Sequence, residues 1–474
     1  MKVTRFGALV VGACALSVGA AEQPMEQMVS VDFSQAKGKV RRELHSSGLA
    51  PLMSPRAAYA DFDPALRELN LYATRTHDWA LTNPGQRIID THFVFPLQHL
   101  DAANPSNYYF KATDEVIRLA QESGLKVFYR LGSSIELTEG CHFNVLAPTD
   151  FDNYAEALAG IVRHYTRGWA DGFQYDIKYW ELFNEPELNA CWAGGLGNFY
   201  KLSMKCLKRL KSEFPELKFG GPAYAGFNPG HWRDWFSSCR KAGVKPDFFS
   251  WHYYGEWPGT VADQARKARK LLDENGLEGV ELVLDEWHYR PVMNGIGGSR
   301  SVDWTEFANV GSQSMGGIDS ATFNLTVQSQ LQDSPLGQSF YYGHGMYGDY
   351  GILGRGRRLN KVYYGLKAYG AMMIEGAETC PTRVKAGYET VTPFAVRTAD
   401  GKKAMLLLTD YRSSSAVREF SAEVKGVEKF RRVSARVLDD TRDLEPCAVS
   451  FEDGVLTWRK ADFKSCALLV TWEM

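Results

Sequence analysis

Two apolar runs of the chain each end in a glutamate. The run YWELF stops at Asn184 and Glu185, and the run ELVL stops at Asp285 and Glu286. Two carboxyl groups can divide one reaction between them when one is protonated and donates its proton while the other stays ionised and attacks. Hydrolysis of a glycosidic bond is a reaction that needs such a pair.

The neighbours of the two glutamates indicate which role each one has. Three donors, Arg75, His252 and Tyr254, follow other apolar runs of the chain. Donors of this kind would hold a carboxylate at Glu286 ionised and aimed. We therefore predict that Glu185 is the acid/base and that Glu286 is the nucleophile.

These side chains can meet only if strands carry them to one face of a fold. Between about residues 40 and 375, strand-like runs alternate with amphipathic helical stretches, a pattern that predicts parallel strands with helical connections. Eight such units over roughly 330 residues predict an α/β fold, a (β/α)8 TIM barrel, whose strands end at the reactive face. A doubly wound open sheet is the alternative, but no glycine-rich phosphate loop follows the first strand. The strands are predicted at 40–47, 73–77, 125–132, 177–184, 217–224, 247–254, 280–286 and 319–326.

The pattern changes after residue 378. Short alternating strands separated by Asp-Gly and Ser-rich turns predict a β-sandwich over residues 379–474, behind a catalytic barrel over residues 40–378. Residues 22–39 also alternate, with Val29, Val31 and Phe33 apolar, and we consider this segment as a further strand of the sandwich.

Residues 1–21 have the pattern of a signal peptide. Two basic residues precede an apolar stretch rich in small residues, which is too short for a comfortable membrane span. We therefore expect a secreted or periplasmic protein without a membrane span. Lipid attachment at Cys14 is the alternative, disfavoured because apolar residues continue after it.

Composition excludes several function classes. The formal net charge is −2 and no basic block appears, so the electrostatic footprint of a nucleic-acid-binding protein is absent. The cysteines form no CxxC pair and the histidines lack ligand spacing, so we expect neither a metal nor another cofactor. The aromatic content of 13% suits flat sugar faces, with Trp287 a candidate platform and core packing its alternative.

One disulfide is a further candidate. Cys141 and Cys191 fall in the loops after predicted strands 3 and 4, on the same face of the barrel. A bond between them would make the rim of the pocket rigid. Two unpaired thiols are the equal alternative.

Several stretches resemble a known enzyme family. WELFNEPEL, FFSWHYYGEW and LVLDEWHY, in this order, resemble clan A of the glycoside hydrolases, in which Asn-Glu-Pro ends strand 4 and the nucleophile ends strand 7. RTHDW, YRLGSSIE and the His-x-Tyr of WHYYG narrow the resemblance to glycoside hydrolase family 39, which contains β-xylosidases and α-L-iduronidases. The similarity covers most of residues 40–375 in patches.

The resemblance implies a retaining double displacement with both glutamates in the roles given above. It also implies that Asn184 contacts the sugar 2-hydroxyl and that His77, His252 and Tyr254 line the subsite for the non-reducing sugar. Asp285 departs from the family, which often has Thr before the nucleophile.

We expect the substrate to be an oligosaccharide or a fragment of a polysaccharide. A β-D-xylosidase-like exo-enzyme is the leading reading, with an iduronidase-like uronidase or another pyranosidase of the family second. A uronidase needs a cation near the sugar C5 substituent, for which Arg290 and Arg300 are candidates. The competing class is a non-catalytic carbohydrate-binding protein on a degenerate barrel. Linkage and oligomeric state are equally open.

Overall fold

A computed structural model of the chain describes residues 28–48, 63–77, 89–135, 145–291, 314–343, 350–352, 358–412, 419–460 and 464–474. The predicted signal peptide, Cys14, Cys141 and Arg300 lie outside these residues. Among the helices of the described ranges, none combines the length and the apolar character that crossing a bilayer requires.

Eight parallel strands form a closed barrel, preceded by two short strands, β1 (Val29–Asp32) and β2 (Gly38–Lys39). The last barrel strand pairs in parallel with the first, at Phe340 and Ser46, which closes the ring. The predicted TIM barrel is therefore confirmed. Its strands are β3 (Ser46–Gly48), β4 (Ala73–Arg75), β5 (Lys126–Leu131), β6 (Tyr179–Leu182), β7 (Lys218–Tyr224), β8 (Phe248–Gly255), β9 (Glu281–Tyr289) and β10 (Leu336–Tyr342).

The helices begin and end at residues that suit helix termini. In the fourth helix, the Asp150 carboxylate accepts hydrogen bonds from the N–H groups of Asp152 and Asn153, and Gly168 ends the helix at φ 72°, a left-handed conformation that favours glycine. The helices are α1 (Asp63–Arg67), α2 (Thr91–Val94), α3 (Lys111–Glu122), α4 (Phe151–Arg167), α5 (Leu196–Glu213), α6 (Pro229–Ala242), α7 (Pro258–Asp273), α8 (Ile318–Leu331) and α9 (Lys361–Gly370). Two 3-10 turns lie at Arg42–Leu44 and Pro105–Asn107.

The eighth strand was predicted at the wrong place. Residues 319–326 lie inside α8, and the eighth strand is β10. Nearly every residue of α8 is buried, because the helix packs against α7, α9, β9 and the C-terminal domain. A helix buried on all sides has no polar face, so its β-branched run ATFNLTV has the character of a buried strand in the sequence.

The C-terminal domain consists of two sheets. One has the strand order β12-β1-β15-β19-β18 and the other β17-β16-β20-β14-β13-β11-β2, so β1 and β2 each join one sheet. Apolar side chains from both sheets meet between them, among them Val31 and Phe420 of the first sheet and Leu406 and Trp472 of the second. The strands are β11 (Glu378–Thr379), β12 (Thr382–Val384), β13 (Val391–Arg397), β14 (Lys403–Asp410), β15 (Glu419–Lys425), β16 (Arg432–Leu438), β17 (Asp443–Cys447), β18 (Ser450–Glu452), β19 (Val455–Arg459) and β20 (Cys466–Glu473).

An apolar cluster joins the two domains. Ile318 and Leu325 of α8 pack with Met372 against Phe394 and Leu407 of the sandwich. All five side chains are buried. The barrel and the sandwich therefore share an apolar interface, and movement of one against the other would expose this apolar surface to water.

Candidate active site

A pocket of about 540 Å³ opens at the C-terminal end of the barrel. A cavity of this size suits a small-molecule ligand. Further wall residues in the described part of the chain include Phe227, Arg290, Tyr342 and Tyr350. Six of the predicted site residues lie in its wall: His77, Asn184, Glu185, His252, Tyr254 and Glu286.

The two predicted catalytic glutamates face each other across this pocket. One carboxylate oxygen of Glu185 lies within 4.8 Å of one carboxylate oxygen of Glu286. Retaining glycosidases hold their carboxyl groups about 5 to 5.5 Å apart, whereas inverting enzymes leave about 6.5 to 9.5 Å for a water molecule. The spacing therefore favours direct attack by one of the carboxylates.

A sharp bend after β6 presents Glu185 to the pocket. The strand ends at Leu182, and Phe183 and Glu185 then adopt positive φ values of 65° and 42°. The Glu185 N–H group donates to the Ala223 carbonyl oxygen at 2.9 Å, which anchors the bend to the end of β7. Non-glycine residues in this conformation cost about 1 to 3 kcal/mol each and cluster at functional sites.

Glu286 lies deeper in the pocket than Glu185. Its side chain is 7% exposed, and its carboxylate accepts hydrogen bonds from Arg75 Nη1 at 3.1 Å and from the Tyr254 hydroxyl. The pKa of Glu286 is raised, first by burial and also by the charge of Glu185, while the charges of His252 and Arg75 and the Tyr254 hydrogen bond oppose this rise. These donors favour the ionised form that a nucleophile requires.

His252 bridges two carboxylates and contacts Glu185 more closely than Glu286. Its Nδ1 atom lies 2.9 Å from Glu185 Oε1 and 3.7 Å from Glu286 Oε1, and its Nε2 atom lies 3.2 Å from Asp285 Oδ2. Each ring nitrogen faces a carboxyl oxygen, so a doubly protonated ring would donate from both nitrogens. Burial alone would lower the pKa of His252, but the surrounding carboxylates raise it well above its ordinary value.

Arg75 lies fully buried beneath the pocket. Its Nε atom donates to Glu181 Oε2 at 2.6 Å, and its Nη2 atom lies 2.9 Å from Asn184 Oδ1 and 3.1 Å from Asp285 Oδ2. Burial opposes the charge on Arg75, but the carboxylates around it raise its pKa. Since the Asn184 oxygen accepts from Arg75, the Asn184 amide nitrogen remains as the group that can donate to a sugar hydroxyl.

Sequence reasoning missed several residues of the site, among them Glu181 and Tyr342. Glu181 accepts from Ser250 Oγ at 2.7 Å as well as from Arg75, and burial raises the pKa of Glu181 to about 8. Its only signal was a carboxylate inside the apolar run YWELF. Tyr342 lines the pocket at the end of β10, and it was missed because the eighth strand was placed at residues 319–326.

Trp287 is not a sugar platform. It is fully buried, its Nε1 atom donates to Ser339 Oγ at 2.7 Å, and its ring packs edge-on against Tyr341. Successive side chains of a strand point to opposite faces, and Glu286 faces the pocket. Trp287 therefore points into the layer between the barrel and its helices, where Phe323 of α8 lies against it.

Cys191 is a free thiol, and Cys141, its partner in the candidate disulfide, lies outside the described residues. Its Sγ atom lies 3.6 Å from Glu185 Oε2 and donates a weak hydrogen bond to it. Burial raises the pKa of the Cys191 thiol, which therefore stays protonated. The second oxygen of the predicted acid/base thus also has a donor.

One group of residues in the described ranges has metal-ligand spacing. It consists of Glu185, His252 and Glu286, with one ligand atom from each lying within 4.8 Å of the others. A protonated imidazole has no lone pair for a metal, and a metal would have to displace its proton. These contacts favour acid/base chemistry at this position over metal binding.

We expect Asp285→Asn to lower the pKa of His252, because it removes one of the charges that raise that pKa. A folded-state pKa above the unfolded value stabilises the protein at low pH, and the contribution is lost as the pH rises through the folded pKa. The loss of unfolding free energy in the variant should therefore be largest in acid and shrink as the pH passes the wild-type pKa. NMR titration of the His252 ring and urea unfolding at several pH values measure both effects.

The exposed carboxylate of Asp443 provides the control for this experiment. It pairs with Lys361 at the surface, far along the chain from the pocket. Asp443→Asn should leave the His252 titration unchanged. An unchanged His252 pKa in Asp285→Asn would contradict the charge network described above.

Comparison with known proteins gives one family match and several partial relatives. The model of the glycosyl hydrolases family 39 matches residues 29–295. A β-xylosidase of Geobacillus stearothermophilus is 29% identical over 172 residues, and one of Caldicellulosiruptor saccharolyticus is 29% identical over 160 residues. Each alignment covers 31% of this chain and respectively 34% and 31% of the relative, so the match spans about a third of the relatives' length.

Solved structures resemble the chain over nearly its whole length. A glucosidase from Croceicoccus marinus superposes with a TM-score of 0.74 at 20% identity, covering 94% of this chain and 98% of the other. A family 39 enzyme from Xanthomonas axonopodis pv. citri superposes with a TM-score of 0.68 at 16% identity, covering 94% and 97%. At these identities the likeness shows the fold, a barrel and a sandwich in one arrangement.

Proposed function

Since the chain belongs to glycosyl hydrolase family 39, we propose that it is a retaining glycoside hydrolase, a β-D-xylosidase-like exo-enzyme. The observation that carries this proposal is the approach of Glu185 and Glu286 to within 4.8 Å in an open pocket. The two curated relatives, both β-xylosidases, support xylose as the sugar.

In the first step, the Glu286 carboxylate attacks the anomeric carbon while Glu185 donates its proton to the leaving oxygen. The glycosidic bond breaks and a glycosyl ester forms on Glu286. In the second step, Glu185 takes a proton from water, and the resulting hydroxide displaces Glu286 from the anomeric carbon. Two inversions give net retention, and Glu185 regains its proton.

The surrounding donors fit these two steps. Arg75 and Tyr254 hold the Glu286 carboxylate in place for attack and stabilise it again when it leaves the ester. The positive charge on His252, 2.9 Å from Glu185, stabilises the carboxylate that Glu185 becomes after it has given up its proton. These donors favour the ionised carboxylates, the form that Glu286 needs for attack and the form that Glu185 reaches after it has protonated the leaving group.

A panel of aryl glycosides tests the proposed function. The panel contains the β-D-xyloside, α-L-iduronide, β-D-galactoside, β-D-glucoside and α-L-arabinoside, and we expect the highest kcat/KM on the xyloside. NMR of early product should show β-xylose before it mutarotates. Appearance of α-xylose first would exclude retention, and the absence of turnover on every glycoside would favour the carbohydrate-binding protein.

A uronic-acid glycoside is the second candidate substrate. Arg290 lies in the pocket wall, where a fixed cation would pair with a sugar carboxylate. Arg290→Gln should then reduce kcat/KM on the aryl iduronide and leave the xyloside nearly unaffected. Preference for the iduronide in the panel, together with this selective loss, would decide for a uronidase.

We also propose that the enzyme is exported, to the periplasm or the medium. The charge and apolar pattern of residues 1–21 supports this, with lipid attachment at Cys14 as the alternative. The N-terminal sequence and mass of the mature protein distinguish the two routes.

A further inference from the structure

Residues 253–257 span the end of β8 and contain a buried carboxylate, that of Glu256. It forms an ion pair with an arginine of the sandwich domain. Glu256 is 7% exposed and stands two residues after Tyr254. Its carboxylate forms an ion pair with Arg412, and its backbone oxygen accepts from the Tyr411 hydroxyl at 2.7 Å. Tyr411 and Arg412 directly follow β14 of the sandwich.

Arg412 is held on the barrel by several partners. Its Nη2 atom lies 3.3 Å from the Tyr289 hydroxyl, and its Nε atom lies 3.8 Å from Asp319 Oδ2. The backbone N–H group of Arg412 donates to Ser465 Oγ at 2.9 Å, and Ser465 Oγ donates to Asp319 Oδ1 at 2.5 Å. The Arg412 backbone has a φ of 48°, in the left-handed region, so these contacts hold Arg412 in a conformation that it would otherwise avoid.

Residues 253–257 also contact residues of the active site. The Tyr254 hydroxyl donates to the Glu286 carboxylate, and the Gly255 carbonyl oxygen accepts from the backbone N–H group of Arg290 at 2.9 Å. The Tyr253 hydroxyl closes the segment by donating to the Trp257 carbonyl oxygen at 3.1 Å. Residues 253–257 thus lie between the pocket and the sandwich.

We propose that Tyr411 and Arg412 are positioning residues of the active site, acting through Glu256 to hold Tyr254 against Glu286. The proposal rests on the proposed function, since Glu286 is the nucleophile there. Glu256 is buried, so removing Arg412 leaves its carboxylate as an uncompensated charge. Without Arg412, the segment must move to hydrate Glu256, and Tyr254 moves with it. Such a shift impairs the chemical step, so kcat should fall more than KM rises.

The test compares Arg412→Met with Arg442→Met. Arg442 is a matched control, because it also pairs with a carboxylate, that of Asp439, and has a similar exposure of 29% against 31% for Arg412. That pair lies within the sandwich. We expect Arg412→Met to lower kcat on the aryl xyloside about tenfold or more at nearly constant KM, an order of magnitude typical of displaced catalytic groups. Arg442→Met should keep the wild-type kcat.

Two further measurements separate positioning from loss of folding. The double variant Glu256→Gln with Arg412→Met should recover most of the lost kcat, because a neutral amide needs no cation. Hydrogen exchange of the peptide containing residues 253–257 should be faster in Arg412→Met and unchanged in Arg442→Met. If Arg412→Met does not fold, Tyr411→Phe removes a single hydrogen bond and should give the same changes at smaller size.

The outcomes separate the two proposals. Wild-type kcat together with wild-type hydrogen exchange in Arg412→Met would overturn the positioning role. If wild-type protein turns over none of the glycosides, the proposed function fails, and the hydrogen exchange of residues 253–257 still decides whether the sandwich holds this segment.

Discussion

Glu286→Gln will lower kcat on an activated aryl xyloside by at least about 10,000-fold, the size of loss seen when a nucleophile is removed from an enzyme. The amide has nearly the volume of the carboxylate and can still accept from Arg75 and Tyr254. It carries no negative charge, however, and cannot form the glycosyl ester. Steady-state kinetics measure the loss.

A covalent label makes this prediction specific to the nucleophile. After incubation with a 2-deoxy-2-fluoro-xyloside, intact mass spectrometry should show one added sugar on wild-type protein and none on Glu286→Gln. Peptide mapping should place the added sugar on Glu286. A label on any other carboxylate would contradict the assignment.

Glu281→Gln is the matched control for this substitution. Glu281 lies on the same strand, β9, at the end opposite to the pocket, where its carboxylate meets Lys218 Nζ at 2.6 Å. The change removes the same charge from the same strand. We expect wild-type labelling and a kcat within about twofold of wild type, because the contacts of Glu281 with Lys218 and Tyr179 lie at the far end of the strand and partly exposed ion pairs contribute little. A loss equal to that of Glu286→Gln would assign the effect to the strand and not to the nucleophile.

Glu185→Ala will lower kcat/KM by a factor that depends on the leaving group. On a poor leaving group such as an alkoxide, kcat/KM should fall about 100- to 10,000-fold, the usual contribution of a general acid. On a dinitrophenyl glycoside, bond cleavage needs no proton, so the first step survives. The second step then becomes limiting, because no base activates water.

Azide should restore the second step in this variant. The truncated side chain leaves space beside the positively charged His252, whose Nδ1 atom otherwise faces Glu185 at 2.9 Å, and an anion can occupy that space. We expect kcat on the dinitrophenyl xyloside to rise about tenfold or more, in keeping with the weight of the missing base, and the product to be the β-glycosyl azide. Wild-type protein should show no such acceleration. An α-azide, or equal losses for good and poor leaving groups, would contradict the acid/base role.

The meeting of Glu185 and Glu286 in one pocket could be predicted from the sequence because it depends only on strand order. Parallel barrel strands bring their C-terminal ends together, so two apolar runs that end in Glu185 and Glu286 place both residues on one face. The direction in which a side chain points is harder to predict from the sequence. His252 was predicted to serve Glu286, yet its ring faces Glu185 and Asp285 as well, because the register of β8 against β9 decides which carboxylate each nitrogen meets.

The errors have physical causes of the same kind. Trp287 was a candidate platform because the sequence does not show which face of β9 it occupies, and Tyr342 was missed because a fully buried helix has no helical periodicity. The ion pair of Glu256 with Arg412 joins residues 156 positions apart in different domains. No local pattern predicts such a contact, since it depends on how the sandwich packs on the barrel.

The strand β1 has a consequence for the synthesis of the chain. Val29 pairs with Val384 on one side and with Ala422 on the other, so both of its neighbours come from the far end of the polypeptide. At about 5 to 20 residues per second, a ribosome needs roughly 20 to 80 seconds to make the intervening chain. During that time Val29, Val31 and Phe33 have no sheet to join, and all eight barrel strands, the last of which ends at Tyr342, are synthesised before their partners.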